Sequence, residues 1–162
     1  MSPTLHLKNF GKYEIIRKLG RSMTDVYLAL DPEHNRRVVL KIVEHSHDEF
    51  TQVVMDAERR GAVIQEQLHE LDPRILGVYE YGEQNGCFFI AMEYVEGTSL
   101  ADVLRAEQRL DPMRAARYAI EICSQLQTLH TFQADIDGRK RAVVHGDVKP
   151  SNILLSQDAT IA

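Results

Sequence analysis

An asparagine–glycine pair does most to limit what this chain can fold into. Gln84-Asn85-Gly86 separates two apolar runs, 75–81 and 87–94. Asn-Gly suits a two-residue hairpin turn, whose central residues both need positive φ. Strands joined this way are antiparallel neighbours, so the first half of the chain must build around a hairpin. Three further runs fit the same sheet: 13–19 (YEIIRKL, with Ile15 and Ile16 able to reach core), 26–30 (VYLAL) and 37–43 (RVVLKIV). Turns at 20–24 and 31–35 punctuate them, and residues 1–11 read as a loose lead-in. A polar linker, 44–48, leads into a helix over 49–70. Its apolar residues Val53, Val54, Ala57, Ile64 and Leu68 favour a helical period, and Leu71-Asp72-Pro73 ends it.

The second half changes character. Gly97-Thr98-Ser99 reads as a linker whose serine caps a short helix over 100–106. Asp111-Pro112 opens a long helix to about Thr131, with Asp as the cap and Pro in the first turn. Ala116, Ala119, Ile120, Cys123, Leu126 and Leu129 are its expected buried stripe. Residues 135–141 (DIDGRKR) read as a polar loop before a strand over 142–144, and a last strand covers 153–155. The expected fold is α+β: a lead-in over 1–12, a unit with a five-stranded antiparallel sheet and one helix over 13–96, and a helical unit over 97–162.

Composition narrows the partners. The 162 residues are 44% apolar and 27% charged, enough for a core of ordinary globular kind, and the formal charge of −5 offers no basic stripe for nucleic acid. Arg139-Lys140-Arg141 is short and reads as a solvated loop. Cys87 and Cys123 lie far apart in apolar contexts, as reduced core residues do. No apolar run is long enough to span a membrane, and the first ten residues lack a signal-peptide core, so a cytoplasmic location is expected.

The chemistry concentrates in 145–155, HGDVKPSNILL. Asp147, Lys149 and Asn152 sit at i, i+2 and i+5 in a loop closed by Pro150. That spacing can aim a carboxylate, an ammonium and an amide oxygen into one pocket. A carboxylate can take a hydroxyl proton, an ammonium can offset phosphoryl charge, and an amide oxygen is a hard ligand for magnesium. The bland alternative is a polar turn before a strand, with Asp147 capping and Lys149 solvated.

Five of eight positions match the protein-kinase catalytic loop H-R-D-x-K-P-x-N, and the chain resembles the bacterial, eukaryotic-like Ser/Thr protein kinases from about Tyr13 to Ala162. The resemblance implies a small lobe, a hinge and the first part of a large lobe. It implies ATP and Mg2+ as cofactors and a protein substrate bearing Ser or Thr. It assigns Asp147 to the substrate hydroxyl, Lys149 to the γ-phosphate and Asn152 to magnesium. Val38-Val39-Leu40-Lys41 is similar to the family's V-A-I-K, which implies that Lys41 meets the α- and β-phosphates and a helix glutamate. Glu58, 17 positions on, is the preferred partner; Glu66, about 80° round the helix, is the other. Met92 is placed as gatekeeper, the backbone of Glu93 and Val95 against the adenine edge, and Val26, Val39 and Leu154 around the ring.

The match is partial elsewhere. Leu19-Gly20-Arg21-Ser22-Met23-Thr24-Asp25-Val26 keeps only the first glycine of L-G-x-G-x-x-G-x-V, and Asp25 brings negative charge towards the expected phosphates. Gly146 stands where the family's Arg pairs with a phosphorylated activation loop. Small-molecule phosphotransferases share H-G-D but carry His where this chain has Lys149. The sequence ends at Thr160-Ile161-Ala162, where D-F-G would be due, which reads as a truncated kinase. Three readings follow: a Ser/Thr protein kinase, a kinase-like nucleotide- or partner-binding module without transfer, and a small-molecule kinase. The uncovered long helix adds an expected tendency to self-associate.

Overall fold

A computed structural model describes residues 8–21, 24–45, 48–136, 138–156 and 161. The elements run β1 (Asn9–Phe10), β2 (Tyr13–Arg21), β3 (Asp25–Asp31), β4 (Arg36–Glu44), α1 (Glu49–Leu71), β5 (Val78–Gln84), β6 (Cys87–Glu93), β7 (Gly97–Ser99), α2 (Leu100–Glu107), α3 (Pro112–Thr131), β8 (Gln133–Ile136), β9 (Arg139–Ala142), a 3-10 turn (Pro150–Asn152) and β10 (Leu154–Ser156). They form two compact units. One is Met1–Val63 with Gly77–Tyr94, and the other is Ile64–Leu76 with Val95–Ala162.

The first unit is an antiparallel sheet in the order β1-β2-β3-β4-β6-β5. Side chains alternate along a strand, so each strand feeds both faces. Val38, Leu40 and Ile42 of β4 point into one core with Phe10, Tyr13, Tyr27, Ala29, Phe89 and Ala91. Val43, Phe88 and Ile90 point the other way and pack with Met55 and Ala62 of α1.

The sheet has six strands where five were expected. Asn9–Phe10 pairs with Tyr13–Glu14, and buried Phe10 sets its ring edge-on to Phe89, 5.6 Å between centroids. A single aromatic anchor thus turns the lead-in into an edge strand. Ile16 does not reach core but is exposed, because a β-bulge between Ile15 and Arg17 resets the register.

Asp48 starts α1 by accepting from the backbone N–H of Thr51 at 2.8 Å. Met55, Ala62 and Leu68 are its buried residues, whereas Val53 and Ala57 of the expected stripe are exposed. Asn85 (φ 54°) and Gly86 (φ 72°) make the expected tight turn. The strand before it is Val78–Gln84, not 75–81. The Asp72–Ile75 turn, where the Ile75 N–H donates to the Asp72 carbonyl, takes up residues 72–75.

The second unit gathers Leu100, Tyr118, Leu155 and Ile161 into a core, flanked by Val103, Leu104, Leu110, Ile122 and Ile153. Ser99 Oγ accepts from the Asp102 N–H and Asp111 from the Arg114 N–H, so both helices carry the expected caps. The buried side of α3 is Tyr118 and Leu129; Ala116, Ala119, Ile120 and Cys123 of the expected stripe are exposed. Counting apolar residues missed this because the aromatic Tyr118 sets the inward direction and carries Ile122 with it.

Gly97-Thr98-Ser99 is not a free linker but a strand paired with β10. Residues 135–141 are not a loop either: β8 and β9 pair from Gln133↔Ala142 to Ile136↔Arg139, and Val143 and Val144 lie outside any strand. Cys87 is half-buried and packs against the first unit's core as expected, whereas Cys123 is exposed and is not a core cysteine.

Candidate active site

β4 is flanked on both sides by strands, β3 and β6, so its backbone is fixed by two ladders. Val39 and Lys41 lie on the face opposite Val38, Leu40 and Ile42. Cross-strand register brings Val26 opposite Lys41, and Met92 opposite Val39. Directly opposed residues in an antiparallel pair share a face. Val26, Val39, Lys41 and Met92 therefore form one half-buried surface, and Leu28, opposite Val39, completes it. Sequence reading missed Leu28; its signal was the even spacing from Val26.

Lys41 Nζ lies 2.5 Å from Glu58 Oε1, with the two side chains 26% and 22% exposed. A partly desolvated ammonium needs an anion, and Glu58 on the sheet-facing side of α1 supplies it. Glu66, the other candidate, is exposed. The pair sits beside the apolar surface formed by Val26, Val39 and Met92, so a cation is presented next to a flat hydrophobic wall.

Asp25 departs from expectation. Alternation puts it on the face of Tyr27, away from Val26 and Lys41. Its carboxylate pairs with Lys18 and accepts from Tyr27 Oη at 3.0 Å. Burial, and then Asp25, push the Tyr27 phenol upward. The aspartate charge is thus held on the side of the sheet away from Lys41. Leu19 is 37% exposed at a second register shift, between Lys18 and Gly20, and a side chain at Gly20 would meet open space. Ser22 and Met23 lie outside the described residues.

Glu93 closes β6. Its N–H donates to the Gly77 carbonyl at 2.8 Å, and its Oε2 accepts from the Gly77 N–H at 3.0 Å. The N–H is therefore committed within the first unit, and an adenine edge at Glu93 would have to use the carbonyl. Val95 is half-buried and outside any strand.

In the second unit, residues 143–149 are held by contacts at their C-terminal end. Pro150 cannot follow a helical residue without a clash, so Lys149 is extended (φ −154°, ψ 157°) and the 3-10 turn starts at once. β10 then pairs with β7, and the Leu100 N–H donates to the Ile153 carbonyl at 2.9 Å. Gly97 allows this approach: a Cβ there would stand 1.9 Å from the Leu155 carbonyl oxygen. Gly146 takes φ +75°, a left-handed conformation that disfavours the family's Arg at this position.

Within the loop, Lys149 Nζ lies 2.7 Å from Asp147 Oδ2. Asn152 Nδ2 donates to the Asp147 carbonyl at 2.9 Å and to Oδ2 at 3.0 Å. The Asp147 N–H donates to His145 Nδ1 at 3.2 Å. Lys149, then Asn152, hold the Asp147 carboxyl below the ordinary carboxylate range. With the Asn152 amide nitrogen turned to Asp147, its oxygen is the group left to face a cation. The three side chains singled out in the sequence thus form one cluster. Leu154 is half-buried at the end of the loop, on the opposite side of β10 from Leu155.

A family model described as protein kinase domain matches residues 13–162. The chain belongs to the protein kinase family. The kinase domain is 35% identical over 148 residues to the serine/threonine-protein kinase PknD of Mycobacterium tuberculosis, which covers 91% of this chain and 20% of that protein. It is 31% identical over 152 residues to the serine/threonine-protein kinase PrkC of Bacillus subtilis, covering 93% and 22%. Against the serine/threonine-protein kinase PknH of Mycobacterium tuberculosis it is 37% identical over 152 residues, covering 92% and 22%. The chain spans about a fifth of the length of the curated relatives it matches. No helix among the described residues is long and apolar enough to cross a membrane.

Proposed function

We propose that this kinase domain serves phosphoryl transfer from Mg-ATP to a Ser or Thr hydroxyl of a protein substrate. The observation that carries the reading is the Lys41–Glu58 pair beside Val26, Val39 and Met92. An ammonium already oriented by a carboxylate, next to an apolar wall, suits a ligand with a flat ring and an anionic tail. Val26, Val39, Met92, Leu154 and Leu19 would take the ring, the backbone of Glu93 and Val95 its edge, and Lys41 with the Gly20 backbone the phosphates. Asp147 would orient the acceptor hydroxyl and take its proton, and Lys149 would offset charge at the transferred group. The donor set suits magnesium: the Asn152 amide oxygen is a hard ligand with a carboxylate beside it. When bound, that ion neutralises charge on the phosphates.

A second reading, a kinase-like binding module without transfer, draws on the loop itself. The Asp147 carboxylate is engaged by Lys149 and Asn152. We expect these residues alone to bind adenine nucleotide weakly and to transfer phosphate slowly. A small-molecule phosphotransferase is disfavoured by Lys149. Exposed Met113 and Ile120 on α3 favour self-association.

The deciding assay follows ATP-dependent phosphorylation of a Ser/Thr protein substrate by the intact protein. Lys41→Met is expected to weaken nucleotide binding, and Asp147→Asn to leave it unchanged, while each cuts turnover by about 100-fold or more. Parental turnover in both variants would refute phosphotransfer at this site. Nucleotide binding without turnover in the parent would favour the binding module.

A further inference from the structure

The β8–β9 hairpin lies directly before the Asp147 loop and has no part in the proposed chemistry. Its turn is set by Gly138 (φ +72°), whose N–H donates to Asp135 Oδ1 at 2.9 Å. All four residues of β9, Arg-Lys-Arg-Ala, are exposed. Alternation places Lys140 on one face, opposite Asp135, and Arg139 and Arg141 on the other, opposite Ile136 and Ala134. The arginine face therefore has no carboxylate across the ladder. Cations elsewhere are mostly partnered: Lys12 with Glu33 and Glu80, Arg59 with Glu83, Arg74 with Asp72, Arg114 with Glu107. Among the described residues Arg139 and Arg141 have no such partner. In a chain of net charge −5, this places two guanidinium groups with no ion-pair partner among the described residues side by side on a paired strand.

We propose that the Arg139/Arg141 face docks an acidic, carboxylate-bearing stretch of the protein substrate, close in sequence to its acceptor hydroxyl. The inference rests on the protein-kinase reading and specifies its substrate. Guanidinium forks pair with carboxylates in bidentate fashion, and two arginines at i and i+2 project about 7 Å apart, as alternate side chains of an extended acidic peptide do. Arg141 and Asp147 are six residues apart, so their Cα atoms are at most about 22 Å apart. An extended substrate covers that distance in roughly six residues. Acidic residues are thus expected within about six positions of the phosphorylated Ser or Thr.

The test uses the intact protein and fluorescence anisotropy of two labelled peptides, alike but for three Glu or three Gln within six residues of one Ser. The Glu peptide is expected to bind about tenfold more tightly, as two exposed charge pairs permit, with the advantage shrinking as salt rises. Arg139→Gln with Arg141→Gln should bring the peptides within about twofold of each other without changing the affinity for the Gln peptide. Arg139→Lys with Arg141→Lys should keep part of the preference. Equal binding in the parent overturns the proposal, as does a preference that survives the Gln substitutions. So does a mixed-sequence single-stranded oligonucleotide that displaces the Glu peptide at lower concentration than the unlabelled peptide does. ATP-dependent phosphorylation of both peptides is measured in parallel. A Glu preference lost on Arg→Gln, with no phosphate transfer in the parent, would sink the kinase reading and leave the docking face standing. Transfer that depends on Lys41 without any Glu preference would do the reverse.

Discussion

Gly97→Ala adds a single methyl group where the backbone leaves no room. The new Cβ would stand 1.9 Å from the Leu155 carbonyl oxygen, 2.8 Å from its carbonyl carbon and 3.0 Å from Ser156 Cα. All three are backbone atoms, so no side chain can swing aside. Non-bonded carbons settle near 3.5–4.0 Å, so β7 and β10 must part by about an ångström or more. That breaks the short ladder Leu154↔Ser99, Leu155↔Thr98, Ser156↔Gly97 and strains the Leu100–Ile153 hydrogen bond. Two lost hydrogen bonds at about 1 kcal/mol each, with about 1–2 kcal/mol of repacking around Leu155, give a loss of about 3 kcal/mol. Native-state hydrogen exchange is the suitable assay. The Leu100 amide should exchange about 100-fold faster, while β4 amides, in the other unit, keep their protection. A Leu100 amide protected as in the parent, with an unchanged urea midpoint, would refute the steric reasoning.

Gly61→Ala should act in the opposite sense. Nothing lies within 4 Å of its Cβ position in the interior of α1, so helix propensity should raise stability by up to about 1 kcal/mol, read from the urea midpoint. Asp31→Ala should cost about 2–4 kcal/mol, because the buried carboxylate accepts from His34, Arg36 and the Glu33 N–H. Burial alone would raise the Asp31 carboxyl, but His34 and Arg36 bring it below its ordinary value of 3.8. Its stabilisation is therefore present above that pH and fades as pH falls further, so acid unfolding of the parent should steepen below about pH 4 relative to Asp31→Ala. Lys149→Met removes the largest cause of the lowered Asp147 carboxyl, so carbon-detected NMR should show Asp147 titrating nearer 3.8, with no change at Asp31.

What could be read from the sequence divides by range. The Asn85-Gly86 turn and the Ser99 and Asp111 caps are local, and each was legible. The Asp147–Lys149–Asn152 cluster was legible because five residues of loop hold it. The strand formed by Asn9–Phe10 was not, since it depends on Phe10 meeting Phe89 far along the chain. Nor was the pairing of Gly97–Ser99 with Leu154–Ser156, because the clue was a missing Cβ at Gly97 and linkers also favour glycine. The side of α3 that is buried was misread because residues at i+3 and i+4 mark a stripe without saying which neighbour lies beneath it. The β8–β9 hairpin escaped notice because its second strand, RKRA, lacks an apolar alternation, although Asp137-Gly138 is itself a hairpin-turn pair.

The two halves of the candidate chemistry rest on backbones of unequal stiffness. Lys41 rides a strand whose amides and carbonyls are engaged on both sides, and its partner Glu58 comes from the interior of a helix. Asp147 rides a segment, 143–149, without strand or helix, exposed almost throughout and tied mainly by its own side chains. Fixing one such residue costs about 1–2 kcal/mol of backbone entropy, so the freezing-in that accompanies a ligand falls on the Asp147 loop. A change that stiffens 143–149 without touching a ligand should tighten binding, whereas stiffening β4 has nothing left to contribute.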